Sequence, residues 1–111
     1  MSKNKVFSKT SADRYSLALY ELADEASLIT PIEKNSFALL NLISTNNDFN
    51  NLIKDPTINQ DTLTKVIVKI CENSKLENLF ENFLNFLIKK RRFFYIENII
   101  KNFLEICSEK R

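Results

Sequence analysis

Two cysteines, Cys71 and Cys107, one basic run at Lys89-Lys90-Arg91-Arg92, and scattered carboxylate pairs such as Asp24/Glu25 and Glu105/Glu109 are the side chains through which this chain could do chemistry. A thiolate nucleophile needs a base or a cation beside it, and a general base at neutral pH is most often histidine. The sequence holds 0 His, which removes Ser–His and Cys–His nucleophiles and most zinc sites. It also holds 0 Gly, so phosphate-cradling loops, dinucleotide fingerprints and nucleophile elbows are absent. The carboxylate pairs fall on polar helix faces with no second cluster to complete a metal shell. Neither catalysis, nor a cofactor, nor a metal is expected.

Cys71 and Cys107 lie inside apolar helical stretches and read as two reduced core thiols, with a disulfide or redox pair as the other reading. The basic run is followed by Phe93-Phe94-Tyr95. Cations interleaved with aromatics can bind phosphates and stack bases, as a small RNA-binding domain of the antitermination type would. The same run can be a solvated helix end whose cations favour the C-terminal dipole, with the aromatics turned inward. Lys and Arg number 16 against 14 Asp and Glu, and a net charge of +2 gives no general pull on nucleic acid, so none is expected as the partner. The longest apolar stretch, around Phe83–Ile88, is far below the ~20 residues that cross a bilayer, so no direct membrane insertion is expected. Met1-Ser2-Lys3-Asn4-Lys5-Val6-Phe7 has a positive flank with no apolar run behind it, hence no secretion signal.

The elements that must position these residues are helices. At 111 residues the chain suits a single domain that buries about two-thirds of its unfolded surface. No segment sustains a period of two, and apolar residues recur at helical spacing throughout. A first helix is expected from Thr10, its cap, to about Ser27. Thr30-Pro31-Ile32-Glu33 suggests a capped start for a second, from Pro31 to about Thr45. A short piece over Asp48–Lys54 must stop at Asp55-Pro56, because proline disfavours the helical conformation in the residue before it. Asn59 can cap a fourth helix, and Ser74-Lys75-Leu76-Glu77 reads as a capping box for a fifth. From Leu76 to Cys107 nothing in residue type demands a break, but the apolar stripe changes phase, so a turn is placed at Lys90–Phe93 with a sixth helix after it. The expectation is an all-α six-helix bundle over residues 11–108, with a flexible arm at 1–10 and a short tail at 109–111.

Two of these helices carry surplus apolar surface. On the fifth, Phe86, Leu79, Phe83, Leu76, Leu87, Phe80, Leu84 and Ile88 sweep about 200°, twice the stripe a surface helix needs, with Asn78, Asn82, Asn85 and Lys89 on the other side. On the first, Tyr15, Ala18, Leu19, Leu22 and Ala26 form one face while Leu17 and Tyr20 fall outside it. Two such helices side by side either pack tightly within the domain or leave a groove for an amphipathic helix. Periodicity does not separate the two.

Three blocks of the sequence resemble one family. Arg14-Tyr15-Ser16-Leu17-Ala18-Leu19-Tyr20-Glu21-Leu22-Ala23 is similar to the opening helix of the ATP synthase delta subunit family, whose mitochondrial counterpart is the oligomycin sensitivity-conferring protein. Leu52-Ile53-Lys54-Asp55-Pro56-Thr57-Ile58 with Lys65, and Asn82-Phe83-Leu84-Asn85-Phe86-Leu87-Ile88-Lys89-Lys90-Arg91-Arg92-Phe93, follow in the same order and spacing. Two departures are Ser16, where the family pattern has Ala, and Lys89-Lys90, where an acidic or Ala-Glu-Asn stretch is common.

The resemblance is to the N-terminal six-helix domain of that family, and what it implies is mechanical. That domain would sit on the catalytic head as a non-catalytic stator connector, its first and fifth helices holding the N-terminal amphipathic helix of an alpha subunit. Carried over by position, Tyr15, Ala18, Leu22, Leu79, Phe83 and Phe86 would line the groove with Lys90 at the rim, and Phe83 and Phe86 would be the anchors. Family members continue into a C-terminal part that engages the peripheral-stalk b subunits, so stalk attachment is expected through residues beyond Arg111. The implied location is peripheral, at the cytoplasmic face of a bacterial inner membrane or the matrix side in mitochondria.

Overall fold

Between Thr10 and Glu25 every residue tolerates a helix and none breaks one, and the same holds for each longer apolar-periodic stretch that follows. A computed structural model describes the backbone of residues 10–110 and the side chains of residues 12–110. It contains α1 (Thr10–Glu25), α2 (Ile29–Thr45), α3 (Asn47–Lys54), α4 (Gln60–Ser74), α5 (Asn78–Lys89), a 3-10 turn (Phe93–Tyr95) and α6 (Ile96–Lys110), with no strand among the described residues. This is the all-α six-helix bundle expected. The arm expected at residues 1–10 lies outside the described residues but for the backbone of Thr10, as does the side chain that would make Thr10 a cap.

Some punctuation follows the sequence and some does not. Asn59 caps α4 as expected, its Oδ1 accepting from the backbone N–H groups of Asp61 and Thr62 at 2.7 and 3.4 Å. Asn46 caps α3 in the same way, accepting from the Phe49 N–H at 3.0 Å. Ahead of Pro56, Asp55 is extended, and its Oδ1 accepts from the Thr57 hydroxyl at 2.6 Å and the Thr57 N–H at 2.9 Å. Those two bonds, the hydroxyl's first, hold the Asp55 carboxyl below its ordinary value. The two other expected starts are corrected. α2 begins at Ile29 with Leu28 in the cap position and no side-chain cap, so Thr30 lies inside the helix. Ser74 closes α4 and caps nothing, and α5 starts from Glu77 with no side-chain cap of its own.

The reason lies in how three helices end. Ser27, Lys75 and Arg91 all adopt the left-handed conformation, at φ 58°, 53° and 58°. After each, the next N–H reaches back five residues: Leu28 to the Ala23 carbonyl, Leu76 to Cys71, Arg92 to Leu87, at 2.8, 3.0 and 2.9 Å. Each left-handed residue itself donates three residues back, to Asp24, Glu72 and Ile88. This is the Schellman termination, which satisfies the last carbonyls and usually employs glycine. A chain with 0 Gly makes it with residues that carry a Cβ. The first of these turns delivers the chain directly into α2 at Ile29, displacing Thr30 from the cap. The second consumes Lys75, which keeps Ser74 helical.

The core is built around α6. Ile96, Ile99, Ile100 and Phe103 are fully buried, against Leu19 and Ala23 of α1 and Ile32 and Leu39 of α2 in one cluster with Phe80, Leu84 and Leu87 of α5. α1 packs chiefly on α6, and α5 chiefly on α4. Ser16 is fully buried on α1, its Oγ 2.7 Å from the Ala12 carbonyl and 2.8 Å from the Ile99 carbonyl of α6, so the hydroxyl can donate to either. The small side chain and its hydroxyl let the two helices approach closely. Cys71 and Cys107 are both buried and are not joined in a disulfide, and burial, followed by the charge of Glu81, pushes the Cys71 thiol up to about 11. A thiol so placed stays protonated and inert at neutral pH.

Candidate functional site: a groove between the first and fifth helices

α5 is held at both ends by helices that do not border the site. At its start the Glu77 N–H donates to Asn35 Oδ1 of α2 at 2.8 Å. At its end the Gln60 side-chain amide of α4 donates to the Ile88 carbonyl at 2.8 Å and reaches the Lys89 carbonyl at 3.5 Å. The first satisfies a backbone N–H that a helix terminus leaves unpaired, and the second adds to the bond that the Ile88 carbonyl already accepts from the Arg91 N–H. They also fix α5 as a wall, turned so that Phe80, Leu84, Leu87 and Ile88 enter the core.

Its opposite edge meets α1 across open space. Ala18, Glu21, Leu22 and Glu25 from α1 and Leu79, Asn82, Phe83 and Phe86 from α5 line a groove of about 580 Å³. The two alternatives left open by periodicity are thus separated: Leu22 and Phe86 are 46% and 44% exposed and are not covered by their own domain. The face of α1 expected to be continuous divides. Leu19 and Ala23 turn inward, while Ala18, Leu22 and Ala26 turn to solvent. Tyr15 stands against Phe86 edge-on, with ring centroids 6.1 Å apart and planes at 64°. The Lys90 ammonium lies 5.7 Å from the Phe86 ring centroid, within the range of a cation–π contact. Tyr15 and Lys90 therefore close one end of the groove around Phe86, and Leu79 lies toward the other. Since Tyr15 meets Phe86 while Leu22 and Glu25 share the groove with Leu79, α1 and α5 run along it in opposite directions.

All seven residues carried over from the resemblance gather here, but not with equal exposure. Phe83 is only 4% exposed and forms the floor, so its side chain has little area left to give a partner. Leu22 and Phe86 are the large apolar surfaces still open. Glu21, Glu25 and Asn82 also border the groove, and the apolar pattern does not mark them; by that pattern Asn82 belongs to the side away from the arc. Their spacing does carry a signal. Ala18, Glu21, Leu22 and Glu25 recur at three- and four-residue steps, as do Leu79, Asn82, Phe83 and Phe86, so polar residues flanking an apolar stripe share its face.

The basic run lies beyond the Lys90 end. Lys89, Lys90, Arg91 and Arg92 are all exposed, and Arg92 donates to the carbonyls of Lys90 and Arg91 at 3.3 and 3.4 Å. Of the aromatics that follow, Phe93 is buried, while Phe94 is 46% exposed and stacks on Tyr95 with centroids 4.2 Å apart. The expectation that all three turn to the core thus holds for Phe93 and fails for Phe94. Among the described residues no helix is long and apolar enough to cross a membrane.

Comparison with known proteins supplies the family. Residues 12–111 match the family described as ATP synthase delta (OSCP) subunit. The chain is 56% identical over 111 residues to the ATP synthase subunit delta of Pelagibacter ubique (strain HTCC1062), covering 100% of this chain and 60% of that protein. It is 28% identical over 111 residues to the subunit delta of Rhodospirillum rubrum, with 100% and 60% covered. For Brucella ovis the identity is 31% over 100 residues, with 90% and 54% covered. The chain thus spans little more than half the length of the curated relatives it matches. On a match that takes in all but its first residues, the chain belongs to the ATP synthase delta (OSCP) subunit family.

Proposed function

We propose that this chain is the head-binding part of a stator connector in an F-type ATP synthase. Its groove between α1 and α5 takes the N-terminal amphipathic helix of an alpha subunit, and the domain holds the catalytic head against rotation during proton-driven ATP synthesis. It contributes no catalytic residue. Attachment to the peripheral-stalk b subunits falls to the part of the family's length that this chain does not span, and the assembly is peripheral, at the cytoplasmic face of a bacterial inner membrane.

The observation that carries this is the exposed pair Leu22 and Phe86, on opposite walls and toward opposite ends of one groove between the two helices the family resemblance singles out. A helix laid there covers apolar surface that water otherwise meets, at roughly 25 cal/mol per Å². Translational and side-chain ordering remove much of that gain, so moderate affinity is expected rather than the full sum. Phe86, flanked by Tyr15 and Lys90, is the anchor, because aromatic side chains in half-enclosed pockets dominate such contacts.

The test is a titration of an alpha-subunit N-terminal peptide into the labelled protein, followed by chemical shifts. Shifts should cluster on α1 and α5, and Phe86→Asp should abolish them while circular dichroism stays helical. Shifts elsewhere, or unchanged affinity in Phe86→Asp, would remove the groove assignment. Salt-dependent retardation of RNA that depends on Lys89–Arg92 would favour the RNA-binding alternative instead.

A further inference from the structure

The groove is apolar along its floor and oppositely charged at its two ends. Glu21 and Glu25 border it where Leu22 and Leu79 lie. Lys90 closes the end at Phe86. Arg14, exposed and four residues before Ala18, falls on that same stripe of α1 and on the Lys90 side. The helix dipoles do not cancel this pattern or create it. α1 and α5 run in opposite directions, so the C-terminal end of one lies beside the N-terminal end of the other and their partial charges offset. Side chains alone set the sign at each end.

We infer that the groove selects its occupant by charge polarity as well as by apolar fit. The occupant is an amphipathic helix whose cationic side chains lie at the Glu21/Glu25 end and whose anionic side chains lie at the Lys90 end. From Tyr15 to Glu25 the groove runs about 15 Å, which is close to three helical turns. The opposite charges on the guest are therefore about ten residues apart, flanking an apolar stripe that covers Leu22 and Phe86. Reversing the guest places like charges together at both ends, so polarity fixes which way the guest lies. This inference rests on the groove being the helix site proposed above.

The experiment titrates the alpha-subunit N-terminal peptide into four proteins: the unaltered chain, Glu21→Lys with Glu25→Lys, Lys90→Glu, and Glu72→Lys on the exposed face of α4 as a control. The double reversal should weaken binding roughly tenfold and Lys90→Glu roughly threefold, with Glu72→Lys near unchanged; both losses should shrink at about 0.5 M salt. A nitroxide on the cationic half of the peptide should broaden amide signals of residues 21–25, and one on the anionic half those of residues 86–90. Binding that ignores both reversals, or a cationic half that broadens residues 86–90, overturns the polarity and leaves the groove standing. Failure of the peptide to bind the unaltered chain takes down the groove and the polarity together.

Discussion

α1 packs against α6, α2 and α5, and it treats the contacts with α6 and α5 oppositely. Toward α6 it presents Ser16, Leu19 and Ala23, all fully buried, with a hydroxyl that reaches across to the Ile99 carbonyl. Toward α5 it presents Ala18 and Leu22, which remain in contact with water on one side. The difference comes from which positions are small. Ser16 and Ala23 draw the backbones of α1 and α6 together, whereas Ala18 on the α5 side leaves a space that the long side chains of α5 border without filling. A closed contact stabilises the fold, and an open one leaves apolar surface facing water.

Breaking the closed contact should have the largest effect. Phe103→Ala, which empties a fully buried site beneath α1, is expected to lose about 3–5 kcal/mol in urea unfolding. Removing apolar area from the open contact should touch binding and spare stability. Leu22→Ala is expected to weaken the alpha-subunit peptide roughly tenfold by calorimetric titration, about 1.4 kcal/mol, with the unfolding midpoint almost unmoved. If Leu22→Ala instead destabilised the fold as Phe103→Ala does, the two contacts would not differ in kind.

Three smaller substitutions sharpen the contrast. Ser27→Gly and Arg91→Gly relieve left-handed backbone at the ends of α1 and α5, and each should stabilise the bundle by roughly 0.5–1 kcal/mol, since a Cβ in that conformation costs about 1–2 kcal/mol and glycine's added unfolded-state entropy returns part of it. Binding should not change for Ser27→Gly, which lies outside the groove. Ser16→Ala restores the residue of the family pattern and removes one hydroxyl. The Ala12 carbonyl keeps its place in the helix, so the loss should be about 1 kcal/mol or less by thermal unfolding.

Element type was readable from periodicity because every helix buries a stripe. The break between α5 and α6 was legible for the same reason: Leu87 and Ile96 both reach the core, but from two helices whose stripes are out of phase. Asn59 and Pro56 acted locally, so their effects could be read locally. Thr30 and Ser74 misled because their roles were decided by left-handed turns at Ser27 and Lys75, residues whose types do not advertise that conformation. The start of α5 could not be read at all from its own segment: the partner of the Glu77 N–H is Asn35, on a helix far back in the chain. For the site, surplus apolar surface on two helices was legible, but which part of it the domain would cover depended on the close approach of α1 to α6. Phe83 was on the right edge of α5 and nevertheless became floor.

Asn35 and Gln60 grip α5 from two different helices, one at each tip. Traction applied by a tethered guest along the length of α5 is consequently handed on to α2 and α4 and is not borne by side-chain packing alone. A rod anchored at one tip could pivot; one anchored at both resists being levered away from its neighbours.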